Sequence, residues 1–328
     1  MIKKGFFVIN IMIQKIKGIF NNIHLKKPLF AHSVKYAYGD QQVLKNITLG
    51  IKEGKITSII GKSGSGKSTF LKLIAGIISN KYDGKILIFG KSRFFKKSKL
   101  GFVSQDLAFI PDLSILDNIK ICGLNYGISE ERAVKKAKEL MKLLRLEEKL
   151  EKKPTNLSGG QKVRLHIILP LLHNPRIIVM DEPFVGLDFS NRRLLWHFIE
   201  SMKKSRKSIV LTSHLLTETQ EHADKLVILK DGKIFFNGNL ESLKNKLKIK
   251  FIFEVRFSYL SASNLKEIKK YCDYREIDIL EKYQNFMMFG IRSTKTRSAL
   301  INLLEKLKLI YQEVGFREPN LDEIFLKA

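Results

Sequence analysis

A chain of 328 residues has room for about two domains of roughly 150 residues. With 44% hydrophobic and 28% charged residues it has a globular composition, which excludes a disordered chain. The charge is lopsided: 59 Lys and Arg against 32 Asp and Glu give a formal +27, which points to a polyanion such as nucleic acid, an anionic membrane surface or a phosphate-rich ligand. Two cysteines, Cys122 and Cys272, with no Cys-x-x-Cys pair, exclude a disulfide framework or zinc cluster and fit a reducing cytosol.

The excess charge is dispersed. Residues 1–30 carry six Lys and no acid, residues 31–247 carry 38 basic and 21 acidic side chains, and residues 248–328 carry 15 and 11. Of the 59 basic residues, 46 are Lys, whereas Arg, with its bidentate fork, is the usual reader of base edges. Scattered Lys on a solvated surface therefore explains most of the excess, and no nucleic-acid partner is expected.

Along the chain, Ile9, Met12, Ile13, Ile16, Ile19, Phe20 and Ile23 recur at helical spacing among Lys3, Lys4, Lys15 and Lys17. Two readings fit: an amphipathic helix lying on an anionic membrane surface, or a helix packed on its own domain. The apolar run Phe6–Ile13 is too short to span a bilayer, so no transmembrane helix is predicted. No small-residue cleavage site follows it, which argues against a signal peptide.

Short half-buried strands are predicted around Val34–Tyr38 and Thr48–Ile51, a strand over Lys55–Ile60 and a helix over Lys67–Ala75. Residues 115–146 read as helical. Apolar strands follow at Arg176–Met180, Ser208–Thr212 and Lys225–Leu229, separated by helical stretches. This alternation predicts an α/β fold with a largely parallel sheet covered on both faces. From Ile249 the order becomes β-α-β-β-α-β, with strands over 249–257, 275–281, 286–291 and 310–316 and helices over 264–271 and 298–307. That is the split βαβ arrangement of a small ferredoxin-like α+β domain. Three segments follow: a basic amphipathic extension over 1–30, an α/β domain over 31–247 with a helical part at about 106–160, and an α+β accessory domain over 248–328.

Between strand and helix, Gly61-Lys62-Ser63-Gly64-Ser65-Gly66-Lys67-Ser68 matches the Walker A phosphate loop in full, with Thr69 just beyond. Its glycines let backbone N–H groups curl around phosphate oxygens, and the helix N-terminus adds its dipole. Lys67 is the residue to reach the β- and γ-phosphates and Ser68 the hydroxyl to ligate Mg²⁺. Downstream, the apolar run Ile177–Met180 ends in Asp181-Glu182. Asp181 suits a water-mediated contact to Mg²⁺, and Glu182 is placed to act as general base toward an attacking water.

Residues 157–161 read Leu-Ser-Gly-Gly-Gln, and with that motif the chain resembles the ATP-binding subunits of ATP-binding-cassette (ABC) transporters over about residues 33–247. The resemblance implies a parallel core with an antiparallel β subdomain and a helical subdomain, ATP and Mg²⁺ as cofactors, and ATP hydrolysis at a dimer interface. It implies roles for five further elements. Gln105 matches the glutamine that touches Mg²⁺ and the attacking water. Asp188, after Gly186-Leu187, matches the loop that crosses the dimer interface. His214 matches the switch histidine on the γ-phosphate. Tyr38, 29 residues before Lys67, matches the aromatic on which adenine stacks, although Tyr36 shares its face of the strand. Glu218, Asp224 and Gly232 complete the core.

By the same resemblance, Ser158, Gly159, Gly160 and Gln161 close over ATP held by a second ATP-binding subunit, either a copy of this chain or a related one. The Glu318-Pro-Asn-Leu-Asp-Glu-Ile-Phe-Leu326 ending resembles that of drug-resistance and related exporters, which work with a separate multispanning permease at the cytoplasmic face of the membrane. As a plain structural element it is an amphipathic helix packing Leu321, Ile324 and Phe325. Phe109, Ile110 and Leu113 are candidates for the permease groove. Two departures from the family pattern stand out: Leu169-Pro170, where the proline is expected to kink or end the helix, and Phe184-Val185 ahead of Gly186. A soluble cassette ATPase acting on nucleic acid or ribosomes is the competing class. Such proteins usually pair two cassettes in one chain or insert a long coiled coil, and only 51 residues separate Gln105 from Leu157.

Overall fold

A computed structural model describes residues 27–78, 81–92, 99–146 and 150–327. Apart from its last four residues, the basic extension predicted over 1–30 lies outside them, as does the side chain of Phe325. The chain divides into two compact units, one of residues up to His214 with His222–Asn237, the other of Leu215–Glu221 with Gly238–Ala328.

The first unit runs β1 (Leu29–Tyr38), β2 (Gln41–Ile51), β3 (Ile56–Ile60), α1 (Lys67–Ala75), β4 (Asp83–Ile88), β5 (Lys91–Ser92), β6 (Leu100–Val103), α2 (Ile115–Asn125), α3 (Glu130–Leu143), α4 (Gly159–Ile168), β7 (Ile177–Met180), α5 (Phe189–Lys204) and β8 (Ser208–Thr212). After the short helix α6 (Leu216–His222) come β9 (Lys225–Lys230) and β10 (Lys233–Gly238). An antiparallel sheet has the order β2-β1-β4-β5, and a six-stranded sheet has the order β10-β9-β3-β8-β7-β6. Within the second, β6–β7, β7–β8, β3–β8 and β3–β9 pair in parallel. Strands β3, β7 and β8 are buried along their whole length, as central strands of a sheet covered on both faces must be.

Parallel pairing sets the site. Register places Val103 beside Met180, Met180 beside Leu211, and Ile59 beside Thr212. All four strands therefore end along one edge, and the loops that follow them emerge together.

Local chemistry accounts for the differences from the expected elements. The helical run predicted over 115–146 is two helices, because Gly127 turns the chain at φ 70° and Ser129 opens α3. Pro170 falls in a single 3₁₀ turn over Leu169–Leu171, just past the end of α4, so it removes no bond from the helix interior. The Asp231-Gly232 link between β9 and β10 has φ of 49° and 75°, the twist of a type I′ hairpin turn.

In the second unit, α7 (Leu240–Leu247) leads to β11 (Phe251–Phe257), α8 (Ala262–Arg275), β12 (Asp278–Tyr283), β13 (Phe286–Ile291), α9 (Thr294–Lys306), β14 (Tyr311–Arg317) and α10 (Leu321–Lys327). The sheet order β12-β13-β11-β14, antiparallel throughout, is the split βαβ arrangement. Its core packs Phe253, Val255, Met287 and Phe289 with Ile268 and Cys272 of α8 and Leu300 and Leu304 of α9. The predicted strand start at Arg275 belongs instead to the end of α8, where Glu276 adopts the left-handed conformation at φ 53°.

Candidate functional site

The phosphate loop is shaped by close contacts that only glycine allows. A Cβ on Gly61 would sit 2.4 Å from the Leu229 carbonyl oxygen, and one on Gly66, at φ 100°, would sit 2.8 Å from Leu44 Cδ2. The neighbouring Val43 is gripped from its other side, since a Cβ on Gly232 would lie 2.2 Å from the Val43 carbonyl oxygen. Inside the loop, Lys67 Nζ donates to the carbonyl oxygens of Gly61 at 2.8 Å and Lys62 at 3.2 Å. Burial lowers the Lys67 pKa, and the negative charges of Glu182 and Asp181 oppose that shift.

The loops that follow β7 and β8 converge on α1. Fully buried Asp181 accepts at one oxygen, Oδ1, from Ser68 Oγ at 3.0 Å and from Thr212 Oγ1 at 2.8 Å. Its other oxygen, Oδ2, is buried without a hydrogen-bond partner. Ser68 and Asp181 thus offer hard oxygen donors, one of them an orphan carboxylate oxygen, a set that fits Mg²⁺ completed by phosphate and water. Among the described residues no cluster of three or more His, Cys, Asp or Glu forms an all-protein metal cage.

The Glu182 backbone sits in the left-handed region at φ 50°, held there by its N–H donating to Thr212 Oγ1 at 2.8 Å. That turn swings its carboxylate toward His214, whose Nε2 lies 3.1 Å from Oε1; Glu182 is 8% exposed and His214 60%. Burial raises the Glu182 pKa, against the opposing charges of His214 and Lys67. Gln105 follows β6 on an exposed loop. Tyr38 is 50% exposed, while Tyr36, edge-on to it with ring centroids 4.9 Å apart, is only 4% exposed. The two tyrosines that sequence left on one face are thereby separated: one is core and the other offers a ring to solvent.

The Leu157–Gln161 segment is built as a helix start. Ser158 Oγ accepts from Gln161 N at 3.3 Å, and Gln161 Oε1 accepts from Ser158 N at 3.0 Å, a closed capping box. Ser158 and Gly159 are exposed and nothing approaches within 4 Å of where a Gly159 Cβ would stand. The N-terminus of α4 therefore presents free N–H groups outward. Asp188 caps α5, accepting from Asn191 N at 2.8 Å and Asn191 Nδ2 at 2.9 Å, and these hydrogen bonds hold its carboxyl below the usual range. Phe184 is buried and stacks on Trp196 at 4.5 Å, which explains an aromatic at that position, while Val185 is exposed.

Three supporting residues escaped the sequence reading. Thr212 bridges Asp181 and Glu182, and a polar residue closing an otherwise apolar strand was its only signal. Asn191 ties Asp188 to the start of α5. His166, on the buried face of α4, straps the Gln105 loop: Nδ1 accepts from Ala108 N at 3.0 Å and Nε2 lies 2.8 Å from the Ser104 carbonyl oxygen. Since Nδ1 accepts, the imidazole is neutral with its proton on Nε2.

Residues 44–185 match the ABC transporter family. An ABC transporter ATP-binding protein of Methanocaldococcus jannaschii is 30% identical over 270 residues, 82% of this chain and 96% of the relative. The chain belongs to the ABC transporter ATP-binding family. It is the ATPase subunit of such a transporter. The linearmycin resistance ATP-binding protein LnrL of Bacillus subtilis is 27% identical over 302 residues, 91% of this chain and 97% of that one. A dimeric bacterial ABC transporter cassette of known structure superposes with TM-score 0.58 at 31% identity, covering 65% of this chain and 98% of that one. No helix among the described residues is long and apolar enough to cross a membrane.

The strap has a measurable consequence. Burial lowers the His166 pKa from its usual value of about 6.5. The folded imidazole thus takes up a proton less readily than the unfolded one, so stability is complete above about pH 6.5 and falls as the pH drops toward the native pKa. His166→Ala is expected to cost about 2–4 kcal/mol at pH 7.5 in urea unfolding and to flatten this acid-side loss. His166→Gln, able to donate and accept, is expected to restore part of the stability.

Proposed function

We propose that this subunit hydrolyses MgATP between itself and a second ATP-binding subunit and so powers export through a separate multispanning permease, at whose cytoplasmic side it sits. The convergence of Lys67, Ser68, Asp181, Glu182 and His214 at one sheet edge, together with an α4 N-terminus that faces outward, carries this reading. Loop N–H groups and Lys67 hold the phosphates. Ser68, Asp181 and Gln105 would hold Mg²⁺, which when bound would supply charge neutralisation for the phosphates. Glu182 takes the proton from the attacking water as the bond from the γ-phosphorus to its bridging oxygen breaks. The site burial that raises its pKa makes it a stronger base for that transfer. His214 stands beside Glu182 to contact the γ-phosphate, and Tyr38 offers its ring to adenine. The second subunit's Leu-Ser-Gly-Gly-Gln helix start supplies the remaining N–H donors, with Asp188 at the edge of that interface.

Export is supported by a Bacillus subtilis relative named for linearmycin resistance and by one of Cupriavidus metallidurans named for Nod factor export, the latter 28% identical over 215 residues. Docking of the permease is supported by an apolar groove of about 410 Å³ lined by Ile77, Leu100, Phe102, Ala108 and Tyr126. It lies along α1, β6 and the Gln105 loop. Of the residues the sequence nominated for it, Ile110 is exposed and Phe109 and Leu113 are half-buried, but none lines the groove itself.

Glu182→Gln is expected to lower ATP turnover at least 100-fold with ATP binding retained. In the native protein the rate should fall with acid at a pH above the usual carboxyl value of about 4.3, because a raised pKa protonates the base sooner. Steady-state hydrolysis against pH checks both. Loss of the stacking ring in Tyr38→Ala should raise the KM for ATP about 5- to 150-fold with little change in kcat. Ile77→Asp with Ala108→Asp should abolish co-purification with the permease from solubilised membranes while leaving hydrolysis by the isolated subunit intact.

A further inference from the structure

The C-terminal unit contains a segment that does not follow it in sequence: Leu215–Glu221, which begins at the residue after His214. The final helix α10 grips this segment through two side chains. Thr217 Oγ1 donates to Asp322 Oδ2 at 2.8 Å, and the backbone N–H of Leu321 donates to Gln220 Oε1 at 2.8 Å. The second bond satisfies a first-turn N–H that the helix cannot satisfy itself.

The rest of the terminal motif fixes α10 to its own domain. Asn320 and Glu323 form a reciprocal cap, with Glu323 N donating to Asn320 Oδ1 at 3.0 Å and Asn320 N donating to Glu323 Oε2 at 2.8 Å. Arg317, at the end of β14, donates to both Glu323 and Glu254. Leu321 and Ile324 are fully buried. Every residue of Asn320–Ile324 thus has a defined task. Asn320, Leu321, Glu323 and Ile324 anchor the helix, and Asp322 reaches out to α6.

We infer that the C-terminal unit is a positioning device for the switch histidine: Asp322 and the α10 N-terminus hold Thr217 and Gln220, and so fix where α6 begins and where His214 can stand against Glu182. Thr217, Gln220 and Asp322 are positioning residues, separated from the phosphates by His214 itself. A displacement of the C-terminal unit then reaches the hydrolytic site along three residues of chain. This rests on His214 being the switch.

The test is steady-state hydrolysis by the full-length chain. Thr217→Val/Gln220→Ala and, separately, Asp322→Ala are expected to lower kcat about fivefold while KM for ATP stays within twofold, since phosphate-loop and adenine contacts are untouched. Thr217→Ser/Gln220→Glu keeps both a donor hydroxyl and an acceptor oxygen and should retain the native kcat. Combining Asp322→Ala with Thr217→Val should give no further loss than either alone, because both remove the same bond. If kcat stays within twofold of native in both the Thr217→Val/Gln220→Ala and Asp322→Ala proteins while His214→Ala abolishes turnover, the positioning role is overturned and the switch assignment stands. If His214→Ala itself hydrolyses ATP normally, the switch assignment fails and this inference fails with it. A fall in melting temperature without a change in kcat also overturns it, because anchoring alone would produce that.

Discussion

Two hydrogen bonds to a single oxygen organise this site. Oδ1 of Asp181 receives Ser68 from the helix after β3 and Thr212 from the end of β8, so a buried carboxylate locks three separate chain segments at one point. The same Thr212 hydroxyl accepts from the Glu182 N–H and holds that residue in a left-handed conformation that bulkier side chains avoid. The Glu182 carboxylate, the proposed general base, is therefore aimed by a strained backbone held from a neighbouring strand. All of this presupposes parallel pairing in register, since one residue of slip along β7 would turn Asp181 to the opposite face.

Electrostatics within the site run against those of the chain as a whole. The chain carries +27, yet buried Lys67 faces two carboxylates, Asp181 and Glu182. Burial disfavours the charge on Lys67 and on Glu182 alike, and each partly offsets the cost of the other. A group of opposed charges with one orphan carboxylate oxygen is poised for a ligand that carries both a cation and phosphates. The dispersed surface Lys plays no part in it. Neutral His166 follows the same rule of burial: by staying uncharged it can use one ring nitrogen as donor and the other as acceptor, and so bind α4 to the loop that carries Gln105.

Much of this could be read directly from the residues. Gly61–Ser68 between a strand and a helix, the apolar run into Asp181-Glu182, and Leu157–Gln161 specify their chemistry locally, because backbone N–H geometry and helix starts depend on near neighbours. The β-α-β-β-α-β order of the tail was legible for the same reason, from the apolar strands β11 and β13 and the apolar faces of α8 and α9. The boundaries moved where single residues adopt positive φ, at Gly127 and Glu276, since such turns leave only a weak trace in hydrophobic periodicity.

What sequence alone determined was the set of candidate reacting groups and their order along the chain. Three matters were decided by tertiary structure. It separated Tyr38 from Tyr36, because side chains on one face of a strand differ in burial only once a second layer covers one of them. It recruited Thr212 and His166, whose partners are 30 to 62 residues away. It also joined the segment after His214 to the C-terminal unit through Thr217–Asp322, a pair 105 positions apart. Hydrogen bonds of that span form only once packing brings distant segments together, and no local pattern encodes them.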